Sequence, residues 1–252
     1  MVTVSSFNCA PTILIISDNA ELTGHVVTLL RNKSRLKNLS YSLYYSYNNR
    51  SPEAMIELGA SYVDLKDETS VTKIIASADI VFSLHCKQIF PQSLVEAVTC
   101  INVHPGYNPY NRGWYPQVFS IMNGLPAGVT IHKMDDKVDH GPIIYQEKIQ
   151  IQERDTSLEA YRKIIALEKK MLDDYLVNLV YGEYQVCLPI HEGNYNSITD
   201  FKNLRQIEPE HIGTMKEHIN ILRALSHGQF KNAYFIDSDG IKNYIKITIT
   251  TE

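Results

Sequence analysis

Short apolar runs alternate with amphipathic stretches through the first hundred residues. Residues 12–17 form a β-branched run. The Ser17-Asp18-Asn19 that follows supplies side-chain oxygens suited to capping a helix, expected to continue through Arg31. A second strand is expected at 39–47, helices at 52–58 and 70–77, a fully buried strand at 79–84 (DIVFSL), a helix opening at Pro91, and a fourth strand at 100–103. This alternation predicts a parallel sheet with helices on both faces. Farther along, 114–123 reads as a helix closed by Gly124, and 128–133 with 142–151 as an antiparallel pair late in the sheet. Leu158, Tyr161, Ile164, Ile165, Leu172, Leu176 and Leu179 recur at helical spacing and predict the longest amphipathic helix, 158–181. Beyond residue 190 the pattern changes. A helix is expected at 210–225, and 233–237 with 244–249 bracket an Asp239-Gly240 turn, a hairpin signal. The expected organisation is a Rossmann-like, mostly parallel α/β domain over 1–190 and a small helix-and-hairpin region over 191–252.

Composition narrows the function classes. The 252 residues are 44% hydrophobic and 21% charged, ordinary for a globular chain able to bury a core without staples. A net charge of −4 provides no global field to gather nucleic acid or an anionic membrane. Cys9, Cys86, Cys100 and Cys187 are scattered without ligand-like spacing, which points to unpaired thiols in a reducing compartment rather than to zinc. The amino terminus, MVTVSSFNCAPT, has no secretory pattern, and no stretch approaches the ~20 apolar residues of a membrane span. A cytoplasmic protein is expected.

Chemistry should gather where parallel strands end, because ligands of open α/β sheets bind beyond the carboxyl ends of the strands. The predicted strands ending near Leu84 and Val103 deliver His85-Cys86-Lys87-Gln88 and Asn102-Val103-His104-Pro105-Gly106 to that rim. No G-x-G-x-x-G follows the first strand and no P-loop sequence occurs, so a dinucleotide or P-loop site lacks its phosphate cradle. Asn102 and His104 are two apart on one strand and share a face. Asn offers an amide N–H for an oxyanion; His holds a proton near neutral pH. Asp139, before a Gly141-Pro142 turn, is a carboxylate able to orient such a histidine or simply to cap its own turn. Spacing alone does not choose between those roles.

The strings NVHPGYNPYNRG and GVTIHKMDDKVDHGPII resemble the formyltransferases that use 10-formyltetrahydrofolate. Their shared pattern is Asn-x-His-Pro, then Thr-x-His, then Val/Leu-Asp-x-Gly before a strand. It is matched in order by Asn102, His104 and Pro105, by Thr130 and His132, and by Val138, Asp139 and Gly141. The match covers roughly residues 12–185; the ten or so residues before it add nothing recognisable. ISDN, FSLHCKQIFP, HPGYNPYNRGWYPQVFSI and LRALSHGQFKNAYF look most like the sugar N-formyltransferases, which act on nucleotide-linked aminosugars.

The resemblance implies the formyltransferase fold, attack of a neutral sugar amine on the formyl carbon, and a catalytic set of Asn102, His104 and Asp139. Asn102 and His104 would stabilise the oxyanion, a contribution of roughly 3–4 kcal/mol for one donor. His104 and Asp139 would manage the proton, and no metal is called for. It implies further that the backbone of Cys86, Gln88, Ile89 and Phe90, with Met134, Asp135 and Asp136, surrounds the pterin. Lys87, Tyr110, Arg112, Trp114 and Tyr115 would hold the phosphates or sugar, Arg112 as a bidentate fork and Trp114 as a stacking face. His85 and His132 read as structural or as supports behind the reacting groups, since His commonly packs with one nitrogen satisfied. The implied substrate is a dTDP-linked amino-dideoxyhexose for surface polysaccharide: dTDP-4-amino-4,6-dideoxyglucose first, a 3-amino sugar next. The implied state is a homodimer binding neither nucleic acid nor membrane. Rival readings are a formyltransferase for initiator tRNA or a purine precursor, a silent folate or sugar-nucleotide binder, and a formate-releasing hydrolase. The short, mixed-charge tail argues against the tRNA enzyme, whose affinity would need basic contacts to phosphates.

Overall fold

The computed structural model describes residues 10–250 and 252. The amino-terminal segment before residue 10, with Cys9, lies outside them. A seven-stranded sheet is ordered β3-β2-β1-β4-β5-β7-β8. It is built from β1 (Ile13–Ser17), β2 (Tyr41–Ser46), β3 (Ser61–Val63), β4 (Ile80–Leu84), β5 (Thr99–His104), β7 (Ala127–Lys133) and β8 (Ile143–Ile149). The first five strands run parallel, and β7 pairs antiparallel with β5. Every residue of β1 and β4 is buried, as continuous apolar runs require of strands covered on both faces. β3 was not expected: Ser61 and Tyr62 are exposed at the sheet edge, so the strand carries no apolar run.

Two compact units emerge. The first holds residues up to His104, with 130–146 and 167–190. Helices α1 (Ala20–Asn32), α2 (Glu53–Glu57), α3 (Glu68–Ser77) and α4 (Gln92–Ala97) link its parallel strands. Asn19 and Asp67 cap α1 and α3 by accepting backbone N–H groups. Leu14, Ile16, Val81, Phe90, Leu94 and Cys100 belong to its core. Strand order reverses between β1 and β4, the topological switch point at which such sheets build sites.

The second unit holds 105–129, 147–166 and 191–252. It contains β6 (Arg112–Gly113), α5 (Pro116–Asn123), β9 (Tyr195–Asn196), α7 (Ile198–Leu204), α8 (Met215–Leu225) and a hairpin of β10 (Tyr234–Ile236) with β11 (Lys242–Tyr244). Its core gathers Val118, Ile121, Ala160, Phe201, Ala224, Leu225 and Ala233. The long helix α6 (Ser157–Tyr181), β7 and β8 run through both units.

Several boundaries differ from expectation, three of them for clear local reasons. Helix α5 starts at Pro116, not residue 114, because Tyr115 is left-handed (φ 51°) and the Trp114 N–H donates to Asn196 O at 3.0 Å. Helix α8 starts at Met215, not 210, where Thr214 and Glu217 form a capping box. The hairpin closes earlier, pairing Tyr234 with Tyr244, because the Asp237 carboxylate accepts the Asp239 and Ile241 N–H groups and sets a tighter turn. Cys86, Cys100 and Cys187 are free thiols. No described helix is long and apolar enough to cross a membrane.

Candidate active site

Strand pairing places the chemistry. The antiparallel register of β5 and β7 sets Asn102 opposite His132 and His104 opposite Thr130. The four therefore project in line on one face of the sheet. Past β7 the chain turns back sharply. Lys133 N–H donates to Pro142 O, Met134 N–H to Cys100 O, both at 2.9 Å, and Gly141 packs where any Cβ would strike Lys133 O. Asp139 is left-handed (φ 50°), a conformation Asp tolerates better than most residues. This fold-back carries its carboxylate over the end of β5.

The three expected polar groups meet there. Asp139 Oδ1 accepts Asn102 Nδ2–H at 2.9 Å, and Asp139 Oδ2 lies 3.4 Å from His104 Nδ1. His104 and Asn102 are buried, and the Asp139 carboxylate is nearly so. A hydrogen on His104 Nδ1 directed at the carboxylate makes Nε2 the basic nitrogen of the ring.

His132 faces Asn102 from the neighbouring strand. Its Nδ1 lies 2.8 Å from Lys133 O, a carbonyl that only accepts, so Nδ1 carries the hydrogen. In the neutral ring Nε2 is then an acceptor, facing Asn102 Nδ2 at 3.3 Å. Both amide hydrogens of Asn102 are thereby directed, one to Asp139 and one to His132. Turning the amide over would set its oxygen against the carboxylate. An Asn102 hydrogen reaches a substrate oxygen only by leaving one of these two partners.

The expected binding residues divide between the units. In the first, Cys86-Lys87-Gln88-Ile89-Phe90 leaves β4 as a tightly tied loop. Lys87 N–H donates to Asp18 Oδ2 at 2.7 Å and Lys87 O accepts Asn48 Nδ2–H at 3.0 Å. The Gln88 amide is occupied by Leu65 N–H (3.1 Å) and Asp64 (2.7 Å), and Phe90 packs into the core, so only their backbone can face a ligand. Ile89 is 74% exposed. Burial pushes the Cys86 and Cys100 thiols up to about 12, which keeps both neutral and unsuited to nucleophilic work. Met134 packs against the same core, Asp135 pairs with His140 at 2.8 Å, and Asp136 is exposed.

In the second unit, Tyr110, Arg112, Trp114 and Tyr115 share one segment. Tyr110 Oη lies 3.0 Å from His191 Nε2; buried Arg112 donates from Nη2 to exposed Glu192 at 2.9 Å. The Trp114 and Tyr115 rings sit 5.7 Å apart, and Tyr115 leans on Phe201 at 4.3 Å. Buried Asn111 pins this segment. Its side-chain oxygen accepts Asn123 and Asn194 amides at 2.8 Å each, and its N–H donates to Asn194 at 2.9 Å.

An α/β sheet with an amide, an imidazole and a carboxylate meeting at its rim is a group-transfer scaffold of the formyltransferase class. Residues 4–176 match the model of the formyl transferase family, and residues 200–251 match the N-formyltransferase dimerization C-terminal domain. The chain belongs to the formyl transferase family. It is 38% identical over 241 residues to a dTDP-4-amino-4,6-dideoxyglucose formyltransferase of Mycobacterium tuberculosis, covering 96% of this chain and 97% of that one. Among solved structures, a sugar N-formyltransferase from Shewanella sp FDAARGOS_354 superposes with a TM-score of 0.93 at 44% identity, covering 96% and 98% of the two chains. A 4-N formyltransferase from Francisella tularensis does so with a TM-score of 0.88 at 36% identity, covering 96% and 99%.

Proposed function

We propose that the protein transfers a formyl group from 10-formyltetrahydrofolate to the 4-amine of dTDP-4-amino-4,6-dideoxyglucose, at a step of surface polysaccharide synthesis. The observation that carries the reading is the Asp139 carboxylate, within reach of both Asn102 and His104. It lies in a chain that matches the mycobacterial relative almost end to end. The tied 86–90 loop and the fold-back at 134–139 suit a flat heterocycle, because both present fixed backbone rather than mobile side chains.

The neutral amine adds to the formyl carbon, and the carbonyl oxygen gains charge. Asn102 meets that oxygen by exchanging its bond to Asp139 or His132 for one to the substrate. His104 Nε2 takes the proton that the amine loses and returns one to the departing folate nitrogen, while Asp139 stabilises the imidazolium in between. Arg112 takes the diphosphate in place of the Glu192 carboxylate, and Trp114 and Tyr115 offer the sugar or base apolar faces. The region from 191 onward serves as the dimerisation element: Ile212, Met215 and Phe230 expose apolar side chains there.

The test is an incubation of pure protein with 10-formyltetrahydrofolate and dTDP-4-amino-4,6-dideoxyglucose, with the 3-amino isomer in parallel. Mass spectrometry should find a formylated 4-amino sugar, absent with His104→Asn. Formylation of the 3-amino sugar alone would move the assignment to C-3. Formate release without sugar would mark a hydrolase, and binding without product a silent receptor. Light scattering after gel filtration should give twice the chain mass.

A further inference from the structure

We infer that Asn19, His85 and Glu168 form a positioning relay that holds the 85–90 backbone in the conformation that receives the folate ring. It rests on the assignment of that loop to folate made above.

The relay starts at a helix cap. Asn19 caps α1 by accepting Leu22 N–H on Oδ1 at 3.0 Å, which fixes its amide and points Nδ2 at His85 Nδ1, 3.3 Å away. A donor there requires Nδ1 to be the bare nitrogen, so the ring hydrogen sits on Nε2. That nitrogen faces the Glu168 carboxylate, 2.8 and 3.0 Å from its two oxygens. Glu168 is fully buried on α6. A buried carboxylate is stable only where a donor meets it, and His85 supplies one.

His85 is the first residue after β4 and is left-handed (φ 54°), an uncommon conformation for a residue with a Cβ. It therefore sets the direction in which 86–90 leaves the sheet. The loop's next ties are to other elements: Lys87 to Asp18 and Asn48, and Gln88 to Asp64 and Leu65. Those ties fix where the loop arrives; the relay fixes how it departs. Backbone recognition of a rigid ring depends on that departure, because it holds donors and acceptors in one register without a flexible side chain.

A merely structural hydrogen bond would, when broken, lower thermal stability and weaken both substrates alike. The relay predicts a split. The experiment measures tetrahydrofolate affinity by calorimetry and both KM values for the full chain and three variants. His85→Gly, which accepts the backbone angle but removes the ring, should raise the folate Kd at least tenfold and leave the aminosugar KM within threefold. Glu168→Ala should do the same. Glu168→Gln keeps an acceptor for Nε2–H and should stay within threefold of the parent. Unchanged folate affinity in His85→Gly, or equal loss for both substrates, overturns the relay even if Glu168→Ala fails to fold. If the parent protein itself binds no tetrahydrofolate, the folate reading falls and the relay with it.

Discussion

Replacing Asp139 with Asn isolates the electrostatic role of one atom position. The carboxylate now accepts from Asn102 at 2.9 Å and faces His104 Nδ1 at 3.4 Å and His132 Nε2 at 3.6 Å. Asn is nearly isosteric and tolerates the left-handed backbone at this position, so the loop has no reason to move. Whichever way the new amide turns, its NH2 confronts either the Asn102 donor or His104 Nδ1–H. One charge-assisted bond, about 1.5–3 kcal/mol, is lost, and a mispaired donor adds about 1–3 kcal/mol. A combined loss of roughly 2.5–6 kcal/mol at the transition state corresponds to a fall in kcat on the order of a hundred- to ten-thousand-fold. The KM values should move far less, because the carboxylate bonds to catalytic groups rather than to the binding loops. The assay is initial-rate formylation at saturating substrates, with a thermal melt alongside. A variant that melts normally and keeps kcat within tenfold of the parent would refute the placement of Asp139 in the proton path.

Arg112→Lys removes the planar fork while keeping charge; the KM for the nucleotide sugar should rise at least tenfold, with kcat and the folate KM nearly unchanged, in steady-state kinetics. Thr214→Ala breaks the capping box of α8 and should cost about 1 kcal/mol, a fall of about 2–4 °C in Tm by calorimetry, with activity intact. Cys100 titrates near 9 when unfolded and at about 12 in the buried native site, so the unfolded state loses its proton first as pH rises. Its contribution is fully present below pH 9 and fades towards pH 12. Between pH 9 and 10.5 the parent should lose roughly 1–2 kcal/mol more stability than Cys100→Ala in urea titrations; parallel curves would contradict the burial assigned to the thiol.

Legibility in the sequence followed the strength of the local physical signal. Strands β1 and β4 announce themselves because, of five consecutive buried positions in each, all but one serine are apolar. β3, three residues long with two exposed, leaves none. The pairing of β6 with β9 is invisible for another reason: it depends on Asn111, whose partners Asn194 and Asn196 lie more than eighty residues away. Helix α7 carries a capping box in Ser197 and Asp200, but the polar residues around it leave no apolar periodicity to mark it in the sequence.

At the site, Asn102 and His104 are legible as a pair because strand periodicity puts positions two apart on one face. The approach of Asp139 follows from a fold-back that no periodicity encodes, and only the resemblance of the composite motif pointed to it. Glu168 belongs between these cases. It falls four residues after Ile164 and four before Leu172, inside the apolar stripe of α6, where a charge has no business unless something buried meets it. Among the described residues that partner is His85, on the far side of eighty residues of chain. A charged residue at an apolar register position is therefore itself a signal that sequence carries. It states that a donor must be found in the core, and it leaves to the fold the question of which one.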